Sequence, residues 1–173
     1  VAKTLLARLI SRLIDARFSR IQFTPDLMPS DVLGTTVFNM KTSEFDFHQG
    51  PVFAEMVLVD EINRAPAKTQ AALFEVMEER QVTIDGISHR MKDLYTIIAT
   101  QNPVEQEGTY RLPEAQLDRF LFKISMSYPT LEEEVSVLQR HQEDRRLVKL
   151  ADIQPLLSVS ELLAMRQKLQ EVY

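Results

Sequence analysis

Two adjacent acids, Asp60 and Glu61, follow a short apolar run at 56–59 and give the strongest chemical signal in the sequence. An unbroken apolar run of this length is typical of a strand buried on both faces of a parallel sheet. Such sheets bind ligands outside the carboxyl ends of their strands. There Asp60 can hold a magnesium ion, directly or through water, and Glu61 can orient and polarise an attacking water. The same residues are also consistent with a strand that ends at the protein surface with two solvent-exposed acids and has no catalytic role.

The first residues add a phosphate-binding signal. Residues 1–4 match the end of the phosphate loop G-x-x-x-x-G-K-[ST] and open a predicted helix. A helix N-terminus offers free N–H groups and positive dipole to phosphate, the lysine reaches the terminal phosphates, and the threonine hydroxyl ligates magnesium. Ala2, Lys3 and Thr4 are therefore candidate nucleotide-binding residues, with Thr4 and Asp60 the candidate magnesium ligands. A Lys-Thr pair alone is not evidence for a phosphate site. The pair becomes significant because it lies upstream of a strand that ends in Asp-Glu.

Two further polar residues border apolar segments. Asn102 follows the run at 95–100, and its amide can hold an attacking water against the γ-phosphate. Arg119 precedes the apolar segment at 120–124, and an arginine supplied in trans accelerates phosphoryl transfer by roughly 10³–10⁵. Taken singly, Asn102 is a turn residue before a proline and Arg119 a solvated surface residue. Their order along the chain is what makes both candidates for catalysis.

Periodicity predicts that these residues lie on alternating strands and helices. The predicted helices cover 3–17, 65–80, a segment after the capping box at 130–133 and one from Ser158 or Ser160 to the chain end; the predicted strands cover 20–24, 56–59, 95–100 and 120–124; hairpins are predicted at 36–50 and 81–91. Asn63 is the expected cap of the helix at 65–80. Because no strand is predicted after residue 127, we expect an α/β core at 1–127 and the start of an all-helical lid at 128–173.

Composition restricts the class of protein. The chain has 173 residues, of which 45% are hydrophobic and 26% charged, so a packed globular core is expected. A net charge of -5 argues against nucleic acid as the main partner. The absence of cysteine excludes disulfides and thiolate metal sites. No apolar run is long enough to span a bilayer and no signal peptide is evident, so a cytoplasmic protein is predicted.

The order of these candidate residues along the chain resembles the layout of the AAA+ ATPases. Within that class, the amino-acid sequence of several segments resembles the MoxR family. The resembling segments are Val-Asp-Glu-Ile-Asn-Arg-Ala at 59–65, Ala-Thr-Gln-Asn-Pro at 99–103, Leu-Pro-Glu-Ala-Gln-Leu-Asp-Arg-Phe at 112–120, Phe-Thr-Pro-Asp-Leu-Met-Pro-Ser-Asp at 23–31 and Gln-Glu-Gly-Thr-Tyr at 106–110. The resemblance covers essentially the whole chain. It implies an AAA+ P-loop core, a parallel sheet flanked by helices, with hairpin inserts and the start of an all-helical lid.

The resemblance also implies roles for the polar residues singled out above. Lys3 and Thr4 become the Walker A residues, Asp60 and Glu61 the Walker B pair, Asn102 sensor 1 and Arg119 the arginine finger. The hairpin at 36–50 resembles the helix-2 insert and that at 81–91 the pre-sensor insert. The family's first strand, glycine-rich loop and sensor 2 arginine have no counterpart in the sequence. We therefore expect it to be part of a longer polypeptide, and these residues alone to fold poorly and bind ATP weakly.

The implied function is magnesium-dependent ATP hydrolysis by a homo-oligomer, expected as a hexameric ring, that remodels or matures partner proteins in a chaperone-like manner. Metal-cofactor insertion and a von Willebrand factor A domain partner belong to the same implication. Three alternatives stay open: a nucleotide-gated scaffold with little turnover, a magnesium-chelatase-like motor and a DNA-acting motor. The net charge disfavours DNA, as does a pre-sensor hairpin with only Arg90 and Lys92 nearby.

Overall fold

Strands and helices alternate along most of the chain. The structure, a computed structural model, describes residues 2–101, 110, 112–126, 129–142 and 150–171. The strands are β1 (Phe18–Gln22), β2 (Gly34–Asn39), β3 (Glu44–Gln49), β4 (Met56–Asp60), β5 (Gln81–Ile84), β6 (Ile87–Arg90) and β7 (Thr96–Ala99). The helices are α1 (Ala2–Leu13), α2 (Pro29–Leu33), α3 (Ala67–Glu79), α4 (Glu114–Leu117), α5 (Leu131–Gln142) and α6 (Val159–Gln170). The predicted fold class, a parallel sheet flanked by helices, is confirmed.

A three-stranded parallel sheet with the order β1-β4-β7 forms the centre of the molecule. All five residues of β4 are buried, which explains why this strand is a continuous apolar run in the sequence. The register pairs Gln22 with Asp60 on one side of β4 and Val59 with Ala99 on the other. The carboxyl ends of the three strands therefore meet at one edge of the sheet.

Both predicted hairpins are confirmed. In the tight turn between β5 and β6, Asp85 and Gly86 have φ values of 50° and 79°, as a type I′ turn requires. Two glycines, Gly34 and Gly50, lie close together at the base of the β2–β3 hairpin. A Cβ on Gly34 would run into the carbonyl oxygen of His48, and one on Gly50 into that of Val32, so the base of this hairpin has room only for glycine.

Apolar side chains from the sheet, α2 and α3 form one core. Its fully buried members include Phe23, Val32, Val52, Val57, Val59, Ile62 and Leu73. Thr69 on α3 is buried and donates a 2.7 Å hydrogen bond to the carbonyl of Leu27, which ties the loop after β1 to the helix. The core therefore holds the carboxyl edge of the sheet and the start of α3 in fixed relation.

The described residues after 129 form no strand; they comprise α5, a 3-10 turn at Leu150–Asp152, an irregular stretch and α6. Thr130 and Glu133 form the predicted capping box at the start of α5, and Ser158 caps α6. The backbone N–H of Leu156 donates to Leu13 at the end of α1 over 2.7 Å. Residues 127 and 128, at the predicted domain boundary, lie outside the described residues, so the division at 127 stays a prediction. None of the described helices is long and apolar enough to cross a membrane.

The strand predicted at 120–124 is wrong, because this segment is irregular in the structure. Leu121, Phe122 and Ile124 are 86%, 78% and 82% exposed. A strand forms when its backbone groups pair with a neighbour, and no described strand pairs with this segment. The apolar residues of the segment do not indicate whether a neighbouring strand is available to pair with it.

Two predicted helix limits also differ from the structure. The helix predicted at 3–17 ends at Leu13, because Asp15 takes a left-handed φ of 49°. Asn63 does not cap α3: it lies in a 3-10 turn at Ile62–Arg64, and Pro66 occupies the cap position. The extra turn separates the acidic pair from α3 and gives the loop between them a shape of its own.

Candidate active site

The acidic pair lies at the carboxyl end of the central strand. Asp60 is the last residue of β4 and only 8% exposed. Glu61 follows with φ 58° and ψ 48°, in the left-handed region that non-glycine residues rarely adopt. Such conformations are costly and concentrate at functional sites. The turn at Glu61 directs the chain out of the sheet immediately after Asp60.

Both carboxylate oxygens of Asp60 are engaged by neighbouring strands. The Nε of Arg20, on β1, donates to Oδ2 at 2.6 Å and forms an ion pair with it. The hydroxyl of Thr100, which follows β7, donates to Oδ1 at 3.0 Å. Since each carboxylate oxygen has two acceptor sites, Asp60 can still accept from a water or a metal-bound water.

Glu61 is fixed by three further donors or acceptors. Gln22 at the end of β1 and Arg64 in the 3-10 turn each donate to its Oε2 at 3.0 Å. Its backbone N–H donates to the Thr100 hydroxyl, also at 3.0 Å. Thr100 therefore bridges the two acids, since its one hydroxyl donates to Asp60 and accepts from Glu61.

The network closes through β1, because Arg20 Nη2 donates to Gln22 Oε1 at 2.9 Å. Sequence reasoning missed Arg20, Gln22, Arg64 and Thr100. A signal was present for the first two: residues two apart on a strand share a face. Polar side chains at 20 and 22, on a strand otherwise facing a core, therefore point toward a shared polar site at the end of that strand.

Helix α3 fixes the loop that carries the acids. Gln70 is 2% exposed, and its Nε2 donates to the carbonyls of Ile62 and Ala65 at 3.0 and 3.1 Å. The N–H of Ile62 also donates to the carbonyl of Thr100 at 3.0 Å. The loop that follows Glu61 is thus held from the helix on one side and from the end of β7 on the other.

The predicted phosphate-binding residues lie in the first turn of α1. Ala2 is the first residue of that helix, Lys3 is exposed and Thr4 is half-buried. The helix packs against β4. Within the described part of the chain, no hydrogen bond or ion pair joins Lys3 or Thr4 to the acidic pair. Their role toward phosphate therefore stays a prediction.

The two remaining predicted site residues are not joined to this cluster by described contacts. Asn102 lies outside the described residues. Arg119 follows α4 by two positions and pairs with Glu78 on α3, with Nη2 2.6 Å from Oε2. Sequence reasoning did not identify Glu78.

The donor set suits magnesium. A threonine hydroxyl and a carboxylate are hard oxygen ligands, and magnesium keeps several waters while using one or two carboxylates plus substrate phosphates. Among the described residues no group of three or more His, Cys, Asp or Glu side chains could hold a metal ion by itself. That Thr4 and Asp60 hold a magnesium ion together with a nucleotide stays a prediction.

Comparison with known proteins identifies the family. Residues 1–122 match the profile of the ATPase family associated with various cellular activities (AAA), and the chain belongs to that family. Its relatives are of the MoxR type, as the sequence predicts. Chaperone MoxR1 of Mycobacterium tuberculosis is 54% identical over 140 residues, which cover 81% of this chain and 37% of that protein. Protein MoxR of Methylorubrum extorquens is 36% identical over 134 residues, covering 75% of this chain and 38% of that protein.

Two longer matches extend over nearly the whole chain. YeaC of Bacillus subtilis is 48% identical over 172 residues, which cover 99% of this chain and 53% of YeaC. The crystal structure of a candidate ATPase from Cytophaga hutchinsonii matches with a TM-score of 0.83 and 44% identity, over 98% of this chain and 51% of that one. The chain thus spans about half the length of these two proteins.

Proposed function

We propose that the chain is the nucleotide-binding core of a magnesium-dependent ATPase that works as a homo-oligomeric ring. The observation that carries this proposal is the acidic pair at the carboxyl end of β4. Asp60 and Glu61 are held by Arg20, Gln22 and Thr100 from both neighbouring strands. Membership of the AAA family supports the same reaction.

The first turn of α1 binds the phosphates. Lys3 contacts the terminal phosphates, the backbone N–H groups from Ala2 onward donate to phosphate oxygens, and Thr4 and Asp60 hold magnesium. Held by Thr4 and Asp60, magnesium would offset the negative charge of the phosphates. Exposure of Lys3 and the half-buried position of Thr4 leave both side chains accessible to a nucleotide.

Glu61 orients and polarises the attacking water. Its carboxylate is restrained by Gln22 and Arg64 and its backbone by Thr100, so little reorganisation is needed when a water binds. Preorganised polar groups of this kind account for much of enzymatic rate enhancement. Asn102 aligns the same water against the γ-phosphate.

Arg119 acts on the ATP of the neighbouring subunit. Its side chain lies beside α3 and is 34% exposed, and its ionic partner Glu78 belongs to the same surface rather than to the acidic cluster. An arginine that serves a site in trans has to lie on an accessible face of its own subunit. In a closed ring, each subunit then supplies one arginine and receives another.

Measurement of ATP turnover by the full-length protein across a wide range of protein concentration tests this arrangement. Turnover per subunit should rise with concentration as the ring assembles, and Arg119→Ala should lower the plateau by roughly 10³-fold. Lys123→Ala, a change of an exposed cation nearby, should leave the plateau unchanged. Constant low turnover at all concentrations, with ATP still bound, would favour the nucleotide-gated scaffold instead.

The second part of the proposal is that ATP hydrolysis drives chaperone-like remodelling of protein clients. The tip of the β2–β3 hairpin carries an exposed apolar patch formed by Val37, Phe38, Met40 and Phe45, which are 46%, 48%, 87% and 73% exposed. The rings of Phe38 and Phe45 pack against each other at 5.1 Å. Exposed apolar clusters of this kind mark protein-binding surfaces. The name of the relative Chaperone MoxR1 supports the same role.

A variant of the hairpin tip tests client binding. Phe38→Ser with Phe45→Ser should abolish stimulation of ATP turnover by a reduced and alkylated unfolded protein, while basal turnover is retained. Leu169→Ser, at a 65% exposed apolar residue of α6, is the matched control and should keep the stimulation. If the double variant responds to unfolded protein normally, clients bind elsewhere, and a von Willebrand factor A domain partner becomes the next candidate for this surface.

A further inference from the structure

Arg119 is held by two neighbouring elements in a defined orientation. Its Nε and Nη2 both donate to Oε2 of Glu78, at 3.2 and 2.6 Å. Its Nη1 donates to the carbonyl of Ala115, one turn earlier, at 2.8 Å. The Glu78 contact comes from α3 and the Ala115 contact from α4. The guanidinium is therefore held from two sides, which restricts its rotation.

These bonds leave part of the guanidinium able to donate. The group has five N–H donors, one on Nε and two on each terminal nitrogen. Three are used by Glu78 and Ala115, which leaves one on Nη1 and one on Nη2. Two terminal N–H groups in a rigid fork match the spacing of phosphate oxygens. The ion pair therefore orients Arg119 without consuming the donors that a phosphate would need.

Glu78 itself lies on an element that is anchored at both ends. Phe74, one helical turn before it, packs edge-to-face against Phe120 with ring centroids 6.3 Å apart. The same face of α3 thus contacts two consecutive residues of the segment, Phe120 through an aromatic contact and Arg119 through an ion pair. At the other end of α3, Gln70 holds the loop that follows the acidic pair.

We propose that Glu78 is a positioning residue for Arg119: it presents the guanidinium to the nucleotide of the neighbouring subunit. This inference rests on the proposed function, in which Arg119 acts in trans. Because Glu78 contacts Arg119 and not the acidic cluster, it affects catalysis only at the site to which its own subunit donates the arginine. A residue that merely supported the fold would affect every site of the ring alike.

The size of the expected effect follows from exposure. The side chains of Arg119 and Glu78 are 34% and 59% exposed, and exposed ion pairs contribute little energy. Loss of the carboxylate should therefore lower kcat by about two- to fivefold, far less than loss of the arginine itself. KM for ATP should not change, since the arginine stabilises the transition state and not the bound substrate.

Mixed rings of the full-length protein separate the subunit that donates the arginine from the subunit that hydrolyses ATP. Arg119→Ala subunits keep a complete site of their own but donate no arginine. Glu61→Gln subunits cannot hydrolyse ATP but donate Arg119 to a neighbour. Each variant alone should be inactive, and mixing the two should restore turnover at interfaces where one serves the other.

Glu78→Gln is then introduced into one partner of the mixture at a time. In the Glu61→Gln subunits, which donate the arginine, it should lower the restored kcat by about two- to fivefold. In the Arg119→Ala subunits it should have no effect. Glu79→Gln, an exposed neighbour on α3, is the control and should be neutral in both.

The outcomes distinguish this inference from the proposed function. If turnover is restored by mixing but Glu78→Gln is neutral in both partners, equally harmful in both, or activating in the donor, then Glu78 does not position Arg119. If mixing restores nothing, Arg119 does not act in trans, and the proposed ring mechanism falls together with the inference.

Discussion

Asp60, at the carboxyl end of the parallel sheet, and Tyr95, at its amino end, differ in how their buried polar groups are satisfied. At the carboxyl end, Asp60 is 8% exposed and both its oxygens accept hydrogen bonds, from Arg20 and Thr100. At the amino end, Tyr95 precedes β7 and is equally buried, at 8% exposure, but its hydroxyl has no hydrogen-bond partner among the described residues. The same sheet thus satisfies one polar group twice and leaves another without a partner.

Under the proposed function, this difference reflects the different roles of Asp60 and Tyr95. A carboxylate that takes part in chemistry must be held in one orientation, and donors from two strands achieve that. Tyr95 contributes an aromatic ring to the core, and its hydroxyl is incidental to that packing. We expect substitutions at the carboxyl end to change catalysis and those at the amino end to change stability alone.

The largest effect is expected at Glu61. Glu61→Gln keeps the size of the side chain and its contacts with Gln22 and Arg64 but removes the base that polarises water. ATP turnover by the full-length protein should fall by about 10²–10⁴-fold while ATP remains bound. Single-turnover hydrolysis and nucleotide retention measure the two quantities. Normal hydrolysis by this variant would show that another group activates the water.

The second effect concerns the ion pair that holds Asp60. Arg20→Met keeps the aliphatic stem but leaves the Asp60 carboxylate, whose side chain is 11% exposed, without its charged partner. Because the arginine itself is 44% exposed, we expect a loss of only about 1–2 kcal/mol in the free energy of unfolding. Denaturant titration measures it. Arg17→Met, at an exposed residue just before the amino end of β1, should cost nothing and is the control.

These two residues also show what the sequence could and could not predict. Glu61 was identified because an acidic pair after a buried strand is a local pattern, readable from neighbouring letters. Arg20 was missed because its importance arises from the parallel pairing of β1 with β4, which brings it within 2.6 Å of a residue 40 positions away. Local patterns predicted the strands β1, β4 and β7, both hairpins and the caps of α5 and α6 for the same reason.

Where a prediction depended on a partner strand, the sequence was a weaker guide. The segment at 120–124 has strand-like letters but no paired neighbour among the described strands, and its apolar side chains are exposed. Glu78 was missed in the same way as Arg20, since the pairing with Arg119 joins two elements 41 residues apart. The roles predicted for all the site residues stay predictions; these residues are Ala2, Lys3, Thr4, Asp60, Glu61, Asn102 and Arg119.

A third, smaller effect is expected at Thr100. Thr100→Val is nearly isosteric but removes the donor to Asp60 and the acceptor for the N–H of Glu61. Each such bond contributes about 0.5–1 kcal/mol, so loss of both should lower kcat by about five- to thirtyfold with little change in KM. Thr96→Val, at the amino end of the same strand and exposed, should leave kcat unchanged. An equal loss of kcat in both variants would mean that the effect comes from changing the strand and not from losing the Thr100 hydrogen bonds to Asp60 and Glu61.

The smallest effect, with the opposite sign, is expected at Tyr95. Tyr95→Phe removes a buried hydroxyl that has no partner, so at neutral pH the free energy of unfolding should be unchanged or rise by about 1 kcal/mol. Burial raises the pKa of Tyr95 above its ordinary value of 10.0, although nearby Arg80 opposes the shift.

The raised pKa of Tyr95 gives this substitution a dependence on pH. Below pH 10 the phenol is protonated in both the folded and the unfolded chain and contributes nothing to linkage. Above pH 10 only the unfolded chain ionises, so the folded state loses stability as the pH rises. Denaturant titrations of the full-length protein on either side of pH 10 should therefore show the advantage of Tyr95→Phe growing with pH, with Tyr110→Phe, at a 47% exposed tyrosine, as control. An advantage that does not grow would mean that the Tyr95 hydroxyl is solvated in the folded protein, and the contrast between the two ends of the sheet would disappear.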